Sequence, residues 1–122
     1  MILRGQVIHG KGEGRALGYP TANLSYAHTG EPSEPGVWVA RVLSDYRVWP
    51  ALAVVGMWPM ENALPSVEIY LLDFSGDLYG QTLAVSLIKK FRELNKFSDI
   101  AALVSQIERD VEEAKKFFGS ES

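Results

Sequence analysis

The sequence predicts a mainly β protein: a small antiparallel barrel with one C-terminal α-helix. Two observations carry this. Short apolar runs rich in β-branched and aromatic residues follow one another through the first three quarters of the chain, separated by Gly, Pro, Asp and Ser. Over the last quarter the apolar residues change to steps of three and four. A length of 122 residues suits one domain over 1–122, with a core large enough to need no staples.

Each element has its own signal. "LRGQVIHG" reads as a first strand closed by Gly10, and a glycine-rich stretch runs on to Gly18. "SYAHTGEPSEP" (Ser25–Pro35) reads as a long loop, and a loop of that length in a compact domain is more often functional than idle. "VWVARVL" (Val37–Leu43) and "VWPALAVVG" (Val48–Gly56) are β-rich runs joined by the turn "SDYR". Pro50 pushes the start of the second toward an edge or bulge. After the loop "MWPMENALPS" come "VEIYLLDF" (Val67–Phe74), the tight turn "SGD" and "TLAVSLIKKF" (Thr82–Phe91), making five or six strands. Ile100, Leu103, Val104, Ile107, Val111, Ala114 and Phe118 then trace one amphipathic helix, whose apolar stripe is expected against the outside of the barrel. Ser98 reads as its N-cap, Asp99 as a first-turn acid and Gly119 as its stop, with Lys115 and Lys116 near the C-terminal end.

Composition excludes several functions. With no cysteine there are no disulfides or thiolate metal sites. A formal charge of −3 without a basic patch argues against nucleic acid. "MILRGQVIHG" is charged too early for a signal peptide, and no apolar run approaches the ~20 residues a membrane span needs. These features suit a cytoplasmic protein without a membrane partner.

Phosphate-loop look-alikes fail. "GQVIHGKG" approaches GxxxxGK[ST], but glycine stands where the Mg²⁺-ligating hydroxyl belongs, and "QVIH" reads as strand. "GKGEG" is not followed by the helix a dinucleotide loop requires. Even so, Gly10, Gly12, Gly14 and Gly18 let main-chain N–H groups approach a ligand closely, with Lys11 and Arg15 adding positive charge. The alternative is a flexible hairpin. Pro20 extends the chain before it, so Thr21 and Asn23 alternate onto one side, where a hydroxyl and an amide oxygen are hard ligands suited to Mg²⁺. A turn or cap accounts for the same two residues. Glu68 is a lone carboxylate in an apolar strand, costly to bury unless partnered; a barrel-rim or ion-pair role is the plain alternative.

Three ordered motifs tip that balance. "GQVIHGKGEGRALGYPTANL", "VEIYLLDFSGDLYG" and "FRELNKFSDIAALVSQIERDVEEAKKFF" closely resemble the motifs of riboflavin kinases (flavokinases), and they span nearly the whole chain. The resemblance implies a six-stranded antiparallel Greek-key β-barrel with a C-terminal helix, a single riboflavin kinase domain over 1–122. It implies ATP-dependent phosphorylation of riboflavin at the ribityl 5′-hydroxyl, giving FMN and ADP, with Mg²⁺ as cofactor. Thr21 and Asn23 would hold the Mg²⁺–nucleotide, and Gly10, Lys11, Gly12 and Arg15 would lie over it. Leu71, Asp73 and Tyr79 would line the ATP side, and Arg92, Asn95 and Phe97 the flavin side. Arg92 would bind the flavin edge or the product phosphate. Glu68 would be the catalytic base.

Two departures stand out. Glu93-Leu94 follows the arginine where the family often has Pro-Glu, and Trp58-Pro59 resembles the variant of single-domain members. The adenylyltransferase domain that precedes the kinase in many bacterial relatives is not in this sequence, so FMN is the expected end product unless the sequence is an excised piece of a longer protein. The expected partners are riboflavin and ATP, and the expected state is a monomer. A non-catalytic flavin- or nucleotide-binding barrel is the alternative, and Glu68 beside Thr21 and Asn23 argues against it, because a pure binder needs no base at a metal clamp. A third reading, an adaptor anchored by Trp38, Trp49 and Trp58, requires those tryptophans at a surface.

Overall fold

Residues along a strand alternate between two faces; here one faces the barrel core, and the outer face is covered in part by the helix. The computed structural model describes residues 2–8, 22–26, 34–44, 47–56, 66–72, 80–94 and 99–121. Six antiparallel strands, β1 (Ile2–Ile8), β2 (Ala22–Tyr26), β3 (Gly36–Ser44), β4 (Arg47–Val55), β5 (Val67–Leu71) and β6 (Thr82–Arg92), close a barrel in the order β1-β2-β5-β4-β3-β6. β3, β4 and β5 are successive neighbours and β6 returns beside β3, which is a Greek key. The helix, α1 (Ile100–Glu121), follows.

One set of side chains, including Val7, Leu24, Val42, Ala53, Ile69 and Val85, fills the barrel, and Trp38 and Trp49 pack against it. Trp38 Nε1 also donates to the Glu34 main-chain oxygen at 3.0 Å. Packed against the core and only partly exposed, these two tryptophans weigh against the adaptor reading; Trp58 lies outside the described residues. A second cluster forms on the outer face, where Val37, Val39, Leu52 and Leu72 meet Ala114, Val111, Phe117 and Phe118 of α1. The apolar stripe thus docks on the outside of the barrel, as its period predicts.

Several local expectations shift. β2 includes Ser25 and Tyr26, which the sequence assigns to a loop; the strand is five residues long, so its alternation is too short to detect. Asp99 caps α1: its Oδ1 accepts from the Ala102 N–H at 2.7 Å, and its main-chain oxygen accepts from Leu103 at 3.3 Å; Ser98, the expected cap, lies outside the described residues. The helix runs through Gly119 to Glu121, and no basic residue falls in its last turn. Pro50 sits within β4, paired with Arg41 on the β3 side. Its missing N–H faces β5 just past the last ladder pair, Ala51↔Leu71, where only its carbonyl is used, accepting from Leu72 at 2.9 Å.

Candidate functional site

The register of the barrel brings chain ends together. Ile8 lies opposite Asn23, Asn23 opposite Glu68, Glu68 opposite Val54, Val54 opposite Val37, and Val37 opposite Arg92. Cross-strand partners share a face, so these six residues form one outward-facing row along a rim of the barrel. β1, β4 and β6 end there and β2, β3 and β5 begin there. The connections 9–21 and 95–98, which carry motif residues, and the connection 57–65 therefore depart from or arrive at this rim.

Asn23 and Glu68 are the chemical centre of the row. Directly opposed residues in an antiparallel pair have Cβ atoms about 4.5–5.5 Å apart. Both residues are half-buried, while the neighbours of Glu68 along β5, Val67 and Ile69, point into the barrel core. That alternation leaves the carboxylate outside, bordered by Val54 and Tyr70 of the outer cluster. A carboxamide and a carboxylate on one half-buried face are hard oxygen donors, which suits a divalent cation that shares phosphate oxygens. Among the described residues no group of three or more His, Cys, Asp or Glu comes together.

The β5–β6 connection returns to the same neighbourhood. Gly80 donates its N–H to Val7 O at 3.0 Å, Val7 donates to Gln81 O at 2.9 Å, and Gln6 Nε2 donates to Gly80 O at 3.0 Å. The segment carrying Asp73 and Tyr79 thus ends beside the last residues of β1, from which the glycine-rich stretch departs. Leu71 is buried in the inner core, so only its main chain remains for a ligand. Gly10, Lys11, Gly12, Arg15, Thr21, Asp73, Tyr79, Asn95 and Phe97 lie outside the described residues.

At the far end of the row, Arg92 forms a two-bond fork on Asp110 of α1, Nε to Oδ1 at 2.9 Å and Nη2 to Oδ2 at 2.7 Å. Gln106 Nε2 donates to the same Oδ1 at 3.0 Å. The sequence analysis did not single out Asp110 or Gln106. The signal was present: Asp110 is a charge at the helical spacing of Ile107 and Ala114, inside the stripe that must be buried. Beside Arg92, Lys90 Nζ donates to Glu93 at 2.7 Å and to Glu34 at 3.1 Å. The hydrogen bond from Lys90 to Glu93 raises the lysine above its ordinary 10.5; partial burial opposes this and Glu34 adds to it. The stabilisation of this cluster is whole below the unfolded lysine's value and fades as pH climbs through the higher folded one. It joins the residue at the foot of the 27–33 connection to the start of the segment that follows β6.

Comparison with known proteins agrees with this architecture. The flavokinase family, described as riboflavin kinase, matches residues 1–118. A bifunctional riboflavin kinase/FMN adenylyltransferase of Haemophilus influenzae is 40% identical over 118 residues, covering 95% of this chain and 38% of that protein. The protein of the same name in Escherichia coli K12 is 36% identical over 119 residues, covering 96% of this chain and 38% of that one. Among solved structures, a Streptococcus pneumoniae protein described as a macrolide-efflux protein superposes with TM-score 0.86 at 33% identity, over 93% of this chain and 38% of that one. Riboflavin kinase from Trypanosoma brucei shares the fold, with TM-score 0.63 at 24% identity, over 97% of this chain and 76% of that one. No helix among the described residues is long and apolar enough to cross a membrane. The chain spans about two fifths of the length of the curated relatives it matches. On its motifs, its barrel and a match across residues 1–118, the chain belongs to the flavokinase (riboflavin kinase) family.

Proposed function

We propose that this chain transfers the γ-phosphoryl group of ATP to the ribityl 5′-hydroxyl of riboflavin, giving FMN and ADP. The observation that carries the proposal is the pairing of Asn23 with Glu68 on the rim from which the motif-bearing connections leave. Membership of the flavokinase family and the kinase activity in the relatives' names support it.

Glu68 accepts the proton of the 5′-hydroxyl and aims that oxygen at the γ-phosphorus; the new O–P bond forms as the bond to ADP breaks. Phosphoryl transfer depends mostly on positioning and charge neutralisation, so Glu68 need not be a strong base. Asn23, with Thr21 two residues before it, would hold Mg²⁺, which when bound neutralises charge on the terminal phosphates. The glycine-rich stretch with Lys11 and Arg15 covers the phosphates, while Leu71 (through its main chain), Asp73 and Tyr79 flank the adenine. Arg92, Asn95 and Phe97 form the flavin side. By the roughly 4.8 Å between strands, Arg92 lies about 14 Å along the wall from Glu68, room for an extended substrate between the two. The reaction is assigned to a cytoplasmic monomer, on a chain without cysteine or an apolar span.

Incubation with riboflavin, ATP and Mg²⁺, followed by chromatographic separation of flavins and nucleotides, tests the proposal. FMN and ADP appearing in equal amounts, and neither appearing without Mg²⁺, is the expected result. Flavin that stays unmodified contradicts it.

A further inference from the structure

Asp110 is 8% exposed, yet it is a carboxylate in the apolar stripe of α1. A buried ion pair is often no more stabilising than apolar side chains of the same volume. Its presence therefore suits a geometric task better than a packing one. Asp110 takes two N–H groups from Arg92, and Gln106 holds Oδ1 from one helical turn away. Arg92 Nη1 donates a third N–H to the Glu93 main-chain oxygen at 3.0 Å. A guanidinium has five N–H donors. One on Nη1 and one on Nη2 are thus uncommitted among the described residues, on a side chain still 22% exposed at the rim.

We propose that Asp110 is a positioning residue: it clamps one edge of the Arg92 guanidinium so that the remaining Nη1 and Nη2 donors face the site as a rigid pair for the neutral carbonyl oxygens of the flavin ring. This rests on the riboflavin reading above and decides between the two ligands open to Arg92. Asp110 compensates the guanidinium's charge, and a phosphate approaching the same group would be repelled by that carboxylate. A ring carbonyl meets no such repulsion, and a pre-set planar fork loses little freedom on binding it.

The test is fluorescence titration with riboflavin and with FMN, and calorimetric titration with Mg²⁺–ATP, on the whole protein. The variants are Asp110→Asn, Asp110→Glu, Arg92→Gln and the Asp110→Asn/Arg92→Gln double variant. Phe117→Leu, in the outer cluster away from Arg92's bonds, serves as a control for lost stability. Asp110→Asn should weaken riboflavin binding at least ~10-fold, the size expected for losing a bond to a charged group, and leave nucleotide affinity within ~2-fold. FMN should weaken by the same factor as riboflavin, Asp110→Glu should recover part of the loss, and Phe117→Leu should leave flavin binding unchanged. The double variant should bind no worse than Arg92→Gln alone, because Asp110 acts through Arg92.

Unchanged riboflavin affinity in folded Asp110→Asn, additive losses in the double variant, or a loss confined to FMN overturns the proposal. If Asp110→Asn does not fold, Gln106→Ala removes only the bond that steadies Oδ1. It should then weaken riboflavin binding ~2–5-fold, and no change overturns the proposal. Wild-type protein that binds riboflavin with this pattern but makes no FMN sinks the kinase reading and leaves the clamp standing. Wild-type protein that binds no riboflavin overturns both.

Discussion

Asn23 and Glu68 face each other because β2 and β5 pair antiparallel with those two residues in register. A slip of one residue would turn Glu68 into the barrel core, where an unpartnered carboxylate is costly, so burial of Val67, Ile69 and Leu71 fixes the chemistry as well as the packing. If Asn23 supplies an oxygen to the Mg²⁺–nucleotide, Asn23→Ala and Thr21→Ala should each weaken Mg²⁺–ATP affinity ~10-fold or more and leave riboflavin affinity near its wild-type value. Isothermal titration checks this; unchanged nucleotide binding in both variants removes the clamp. At this scale the sequence named Asn23, Glu68 and Arg92, since polar residues in fixed motifs stand out against apolar strands. It did not name Asp110, because pairing across the helix–barrel interface is a tertiary fact that helical periodicity only hints at.

At the scale of elements, the start of β3 is tightly constrained. Gly36 has φ +150, and a Cβ there would lie 2.6 Å from Lys90 Cε and 2.7 Å from the Arg92 main-chain oxygen. The lysine tip can move, but the carbonyl belongs to the strand paired through Val37↔Arg92. Gly36→Ala should therefore lose ~1–3 kcal/mol of stability, read as a lower urea midpoint with an unchanged slope. An unchanged midpoint would mean that the rim yields there easily. β3, β4, β5, β6 and α1 were legible from alternation, β-branched runs and the three-to-four spacing. β2 was not, because its five residues are too few to show a period; at the helix start Ser98 and Asp99 are equally good caps by type, and the hydrogen bond from Ala102 gives Asp99 that role. Gly119 did not stop the helix, since a glycine ends a helix by taking the left-handed conformation itself, and Gly119 has no positive φ.

For the whole molecule, closure of the sheet removes free edges, and the antiparallel barrel gathers the motif-bearing ends of β1, β2, β5 and β6 at one rim. The outer cluster then fixes α1 across β4, so that a helix residue reaches the end of β6. The strand count and handed order came from family resemblance; alternation alone gave a small barrel of five or six strands. The kinase reading turns on Glu68 taking the proton from the flavin's hydroxyl at this rim. Its most direct test is FMN formation by Glu68→Gln beside wild type, with riboflavin and Mg²⁺–ATP affinities measured on the same samples. Turnover should fall at least ~10²-fold with both affinities retained. Full turnover in Glu68→Gln would contradict it.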